Sequence, residues 1–188
     1  VKKSYAGPLL KKEITAINLV IKNKKEPVTC IIGGSKISTK INVITSLIEN
    51  INSLIIVGAM ANNFFVYKNF KVGKSLIEED TQKIIQDIYK KAELNNCEII
   101  IPEDCMVGTD FDGSGKNKNL VDILDNEIIL DIGNNTIKTI QKKISESNTV
   151  LWNGPAGYFE NENFSRGTLS IAENISKNTI ERSLISIL

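Results

Sequence analysis

The stretch PVTCIIGGSKISTK, Pro27–Lys40, decides how this chain is read. Val28–Ile32 is a short apolar run rich in β-branched residues, which predicts a buried strand. It ends in Gly33 and Gly34, and glycine at a strand end lets another backbone or a ligand come close. Beyond the turn, STKINVITSLIENI predicts a helix with Ile41, Ile44, Leu47 and Ile48 as its buried stripe and Ser38 or Ser35 as its cap. Lys36 and Lys40 lie four residues apart. If the helix starts there, they share one face. Strand, glycine turn and paired ammonium groups together point to a pocket for an anion, a phosphate above others.

Outward from this unit, strand-like and helical segments alternate. GPLLKKEITAINLVIKN predicts a helix, with Pro8 near its start and Leu9, Leu10, Ile14, Ile17 and Ile21 at helical spacing. SLIIVGAM and CEIIIP predict buried strands on either side of an amphipathic helix in EEDTQKIIQDIYKKAELNN. Val107–Asn126 is polar and irregular, as expected of a projecting loop or hairpin. EIILDIG, NTVLWNGP and SLISIL predict further strands, with helices in NNTIKTIQKKISES and ENFSRGTLSIAENISKN between them. Strands separated by helices predict an α/β fold: a three-layer α/β/α sandwich around a doubly wound, mostly parallel, Rossmann-like sheet of about six strands. The whole of 1–188 reads as a single domain. In such sheets ligands bind at the carboxyl ends of the strands. Three glycine-containing turns, GGSK, VGAM and NGPAGYFE, fall on that one edge.

Composition narrows the chemistry. The net charge is +1 over 188 residues, so no global basic field attracts nucleic acid or an acidic membrane, and neither is expected as a partner. No apolar run reaches membrane-spanning length, and VKKSYAGPLL lacks a signal-peptide core. Cys30, Cys97 and Cys105 are three in number, without metal-like spacing, and read as reduced thiols of a cytoplasmic protein. There is no histidine, which removes Ser-His-Asp hydrolysis, Cys-His chemistry and histidine-ligated zinc. VGKS at Val72–Ser75 resembles the end of a P-loop, but the position that needs the first glycine holds Lys68. DFDGSG at Asp110–Gly115 places Asp110, Asp112 and Ser114 at EF-hand offsets, but Val121 stands where a bidentate glutamate is required. That segment is read as a solvated loop. No G-x-G-x-x-G fingerprint follows any strand.

The order of these elements resembles the nucleotide-binding, C-terminal half of the phosphoglycerate kinase family. The resemblance is carried by AGPLLKKEI at Ala6, IIGGSKISTKI at Ile31, IIVGAMANNFF at Ile55, VGKSLIEED at Val72, IIIPEDCMV at Ile99, LDIG at Leu130 and TVLWNGPAGYFENENFSRGT at Thr149. It runs from about Ala6 to Leu188. The patterns G-G-[AS]-K-x-x-x-K and W-N-G-P-x-G-x-F-E, in this order, are specific to that family. The resemblance implies reversible phosphoryl transfer between ADP and the acyl phosphate of 1,3-bisphosphoglycerate, with Mg²⁺ carried by the nucleotide. It implies that Lys36 faces the transferring phosphoryl group and Lys40 the nucleotide phosphates. Gly34 and Ser35 would lie against the adenosine, with Gly58, Ala59 and Leu76 as walls for the adenine. Asn153 and Pro155 would contact the nucleotide, Gly157 and Tyr158 would lie under the base, and Glu160 would accept from the ribose hydroxyls.

The chain also departs from the family pattern. The family has an N-terminal domain with a basic patch for the phosphoglycerate, and no counterpart precedes Val1. It continues after the strand matching SLISIL into a glycine-rich turn whose Asp helps bind Mg²⁺, which would lie beyond Leu188. The expectation is therefore a nucleotide-binding half, truncated at its C-terminal end, that partners the absent N-terminal domain, is monomeric and does not turn over alone. Val57-Gly58-Ala59 replaces a triple glycine and is expected to tighten the space near the base. Asn134 replaces the proline of the family's DIGP. A noncatalytic α/β module binding a nucleotide or other small phosphorylated ligand is the competing reading, and a regulatory fragment or pseudogene product a further one.

Overall fold

The structure, a computed structural model, describes residues 24–188. The helix expected over Gly7–Asn23 lies outside the described residues. The apolar run after Pro27 forms β1 (Val28–Ile32), buried along its whole length. The helix after the glycines is α1 (Ile41–Ile48), with Ile44 and Ile48 buried. Then follow β2 (Ser53–Ile56), α2 (Met60–Tyr67), α3 (Gln82–Leu94) and β3 (Glu98–Ile100). The segment after Pro102 forms β4 (Asp104–Gly108), β5 (Lys116–Asn119) and β6 (Ile128–Ile132). α4 (Asn134–Glu146), β7 (Thr149–Asn153), α5 (Arg166–Arg182) and β8 (Ile185–Ile187) complete the order.

Two sheets share these strands. The main sheet has five strands in the order β3-β2-β1-β7-β8, and every pairing is parallel. Its faces follow from alternation along each strand. Cys30, Ile32, Leu54 and Ile56 point into one core with Ile44, Phe64, Phe65, Ile85 and Ile88. Ile31, Ile55 and Val150 point into the other, with Ile137, Ile140 and Ile144 of α4 and Ile171 and Ile175 of α5. Helices on both faces make the expected α/β sandwich.

The expected sheet of about six strands needs one correction. EIILDIG does not join the parallel sheet. As β6 it pairs antiparallel with β4, which pairs antiparallel with β5, giving a separate three-stranded sheet. The reversal begins two residues after β3, at Pro102, where the chain leaves the main sheet. The polar stretch Val107–Asn126 completes a hairpin of β4 and β5 and then a short helical turn at Leu120–Asp122, and the second strand, KNKN, shows no apolar alternation. Pairing to β4, rather than burial, makes β5 a strand. Cys105, Val107, Leu120 and Ile123 tie this small sheet into the core on the α1–α3 side.

Candidate nucleotide site

Three turns meet at the carboxyl edge of the parallel sheet because β1 lies between β2 and β7. Gly33 N–H donates to Asn153 O at 2.8 Å, and Gly58 N–H donates to Ala156 O at 3.1 Å. Met60 N–H donates to Gly34 O at 2.8 Å. The glycines are what allow this stacking. A Cβ on Gly33 would stand 2.0 Å from Pro155 O, inside any tolerable contact. Gly58 has φ +70°, and a Cβ there would lie 2.8 Å from Gly34 N. The two glycines that end β1 are thus spent on backbone approach.

Against this edge opens a cleft of about 530 Å³, between the parallel sheet and the small antiparallel one. Gly34 and Ser35 line it from the first turn, Gly58 and Ala59 from the second, and Leu76 from the segment before α3. Pro155, Gly157, Tyr158 and Glu160 line it from the third turn. Opposite are Pro102, Cys105 and the successive residues Ile128–Ile132. The walls are mainly apolar, and the Tyr158 ring meets Phe111 edge-on at 5.1 Å. Tyr158 N–H donates to Leu130 O at 2.7 Å, which fixes the third turn onto β6.

Lys36, Lys40 and Asn153 do not line this cleft. Lys40 is half-buried beside it. Its Nζ donates to Gly33 O at 2.8 Å and to Asn153 Oδ1 at 2.6 Å. It lies 3.4 Å from where a Gly34 Cβ would be, hence directly behind the lining of the cleft. Burial lowers the Lys40 pKa, and Cys30 opposes that shift. Burial drives the Cys30 thiol up to about 12, so it stays protonated. Lys36 is exposed in the turn before α1. The expectation that Lys36 and Lys40 share one helical face fails, because the helix begins only at Ile41. Neither Ser35 nor Ser38 caps it: Lys40 occupies the cap position without a side-chain bond. The Ser38 hydroxyl goes instead to Glu78.

Two other expectations are corrected. Val57 takes no part in narrowing the cleft, since it is fully buried in the core with Ile31 and Ile55, whereas Ala59 of the same triplet lines it. The DFDGSG segment is more than a solvated loop, since it carries Phe111 to the cleft. Asn134, in place of proline, donates its N–H to Asn117 Oδ1 at 2.7 Å and accepts from Arg166 at 2.7 Å. Proline could not make the first of these bonds.

Sequence reasoning also missed Asp131, Lys74 and Phe111 as lining residues. Asp131 is almost wholly buried. Its Oδ2 accepts Gly167 N–H at 2.7 Å and its Oδ1 accepts Ile132 N–H at 2.8 Å. Burial nevertheless raises its pKa to about 7, with those two bonds and Arg166 opposing. A Cβ on Gly157 would lie 2.4 Å from Asp131 Oδ1. The carboxylate therefore sits directly behind the turn that forms one wall. Only an aromatic residue inside a polar loop, at Phe111, could have signalled one of the three.

The family model for phosphoglycerate kinase matches residues 1–188. The phosphoglycerate kinase of Wolbachia pipientis from Culex pipiens is 41% identical over 186 residues, covering 98% of this chain and 47% of that protein. The solved phosphoglycerate kinase of Coxiella burnetii superposes with a TM-score of 0.85 at 36% identity, over 92% of this chain and 45% of that one. That of Pyrococcus horikoshii gives a TM-score of 0.71 at 25% identity, over 90% of this chain and 44% of that one. The chain thus spans about half the length of the relatives it matches. The chain belongs to the phosphoglycerate kinase family.

Proposed function

We propose that the whole protein transfers a phosphoryl group reversibly between 1,3-bisphosphoglycerate and ADP, giving 3-phosphoglycerate and ATP, and that this chain supplies the nucleotide-binding half. The observation that carries the reading is the cleft itself, where three glycine turns stack backbone on backbone at one sheet edge. In this reading the adenine lies between Gly58, Ala59 and Leu76 on one side and Gly157 and Tyr158 on the other. Glu160 accepts from the ribose hydroxyls, since a carboxylate offers acceptors alone. The phosphates run past Gly34 and Ser35 toward Lys36 and Lys40, with Asn153 and Pro155 beside them.

The chemical step needs little from the protein beyond alignment and charge. A β-phosphate oxygen of ADP attacks the acyl phosphorus, the P–O bond to the acyl group breaks, and the carboxylate of 3-phosphoglycerate leaves. No net proton moves in this exchange. Lys36 is the catalytic residue: its ammonium takes up charge on the equatorial oxygens of the transferring group. Lys40 steadies the nucleotide phosphates and keeps Asn153 in place. Mg²⁺ carried by the nucleotide would neutralise charge on its phosphates. In this reading the protein works in the cytoplasm as a monomer, with this chain as one nucleotide-binding domain facing an N-terminal substrate domain.

The test is a chimera in which this chain replaces its counterpart in the Coxiella burnetii relative. ADP-dependent consumption of 1,3-bisphosphoglycerate is expected, with its loss in Lys36→Ala. A folded chimera without activity contradicts the reading. One that still binds ADP would favour a noncatalytic nucleotide module, a reading that draws on Lys40 being engaged with the protein's own acceptors.

A further inference from the structure

The turn that carries Lys36 is closed by Lys40 N–H on Ile37 O at 3.0 Å and by the Thr39 hydroxyl on Lys36 O at 2.9 Å, and it is also tied from outside. Glu78 Oε2 accepts Ser38 N–H at 3.1 Å, and Glu78 Oε1 accepts the Ser38 hydroxyl. One carboxylate therefore holds two donors of a residue midway between Lys36 and Lys40. Glu78 is itself fixed by α2. Its N–H donates to Asn63 Oδ1 at 2.8 Å, and two residues earlier Leu76 O accepts Asn62 Nδ2 at 2.9 Å. Both asparagines are buried. Two neighbouring side chains of one helix thus pin both ends of the segment Leu76–Glu78. That pinning presents Leu76 to the cleft and Glu78 to the lysine turn.

We propose that Glu78 is a positioning residue for the phosphate-binding side of the site: it holds the Lys36–Lys40 turn in register with the wall that carries Leu76. The inference rests on the nucleotide-binding reading above. In it, Leu76 touches the base and Lys36 the far phosphate, so the short segment between Asn62 and Asn63 contacts links the two ends of one ligand. The Ser38 hydroxyl bond, then the Ser38 and Ile37 amides and the nearby Lys36, hold the Glu78 carboxyl below the usual carboxylate range. It is an anion at neutral pH, and a strong acceptor. The turn has other anchors as well: Ile37 is fully buried, and Lys40 Nζ is bonded to Gly33 O and Asn153 Oδ1. Glu78 is the anchor that reaches it from the Leu76 wall.

The test uses two readouts on this chain, with Glu78→Ala, Glu78→Gln and Ser38→Ala. Hydrogen exchange at the Ser38 amide in the free protein is expected to quicken about tenfold or more in Glu78→Ala. The increase should be smaller in Glu78→Gln, whose carbonyl still accepts, and Ser38→Ala should leave the amide bond in place. Calorimetric titration with ATP and with adenosine gives the second readout. Glu78→Ala is expected to weaken ATP about tenfold while adenosine binding stays within about twofold. A side chain with a merely structural role would lower both alike, and that result overturns the proposal. So does unchanged exchange at Ser38. A wild-type chain that binds neither ligand counts against the nucleotide site, whereas the exchange data judge the Glu78 tie without any nucleotide.

Discussion

In the proposed nucleotide-binding reading, the base end at the cleft and the phosphate end at the lysine turn beside it are made of different materials. The base end is backed by main chain: Gly33, Gly58 and the Pro155–Ala156 backbone touch one another behind the walls that Leu76 and Tyr158 supply. The phosphate end is built from polar side chains: Lys40 on Asn153 and Gly33 O, Glu78 on Ser38, and an exposed Lys36. Backbone contacts of this kind cannot be loosened without moving strands. Side-chain contacts at the surface can be changed while the fold stays. The base end should therefore answer to substitution as stability, and the phosphate end as affinity.

The largest effect should come from the base end. Gly33→Ala places a methyl group 2.0 Å from Pro155 O, and the expected loss of stability is about 3 kcal/mol, read from urea denaturation. A loss below about 1 kcal/mol would show that the turns part easily and would break the comparison. At the phosphate end, Lys40→Ala should weaken ATP binding about tenfold or more while lowering stability by only about 1 kcal/mol. The order of those two numbers, not either alone, is what separates the ends.

Asp131 sharpens the comparison, because it is a side chain buried behind the base end. Its folded pKa of about 7 is above the ordinary value of about 4. The stability it gives is fully present below pH of about 4 and fades as the pH rises to about 7. Denaturation midpoints should follow that fall in the wild type. Asp131→Asn should flatten it while being about 1 kcal/mol less stable, since one of two N–H donors loses its acceptor. An unchanged pH profile in the variant would mean that another group is responsible. The smallest effect is expected from Leu76→Ala. Leu76 is 56% exposed, so stability should hold while adenosine affinity drops roughly fivefold through lost apolar contact.

The parallel sheet was legible because its inner strands β1 and β2 are buried along their whole length, and glycine, proline or asparagine stands at the ends of several of its apolar runs. Val28–Ile32 and Thr149–Asn153 could be placed from apolar runs alone. The antiparallel sheet was not, because β5 is Lys-Asn-Lys-Asn and owes its form to pairing at a distance in sequence. β6 reads like its parallel counterparts, and only the topology assigns it elsewhere. In the site, glycines announced the three turns, since they mark where backbone must come close. Glu78 looked like the acidic start of a helix that begins only at Gln82. Asp131 was hidden because a carboxylate in an apolar strand shows its role through partners such as Gly167 N–H, and these are far away in sequence. Helical spacing pairs Lys36 with Lys40 in the sequence, but that spacing does not apply before Ile41.

The central claim is that an adenine nucleotide lies in the cleft at the carboxyl edge of the parallel sheet. The most direct measurement is a titration of the isotope-labelled chain with ADP, followed through its backbone amide resonances. The account predicts saturable shifts concentrated at Gly34, Ser35, Gly58, Ala59, Gly157 and Tyr158. Absence of binding, or shifts gathered instead around Tyr67 and Gln82 on the far side of α2, would contradict it.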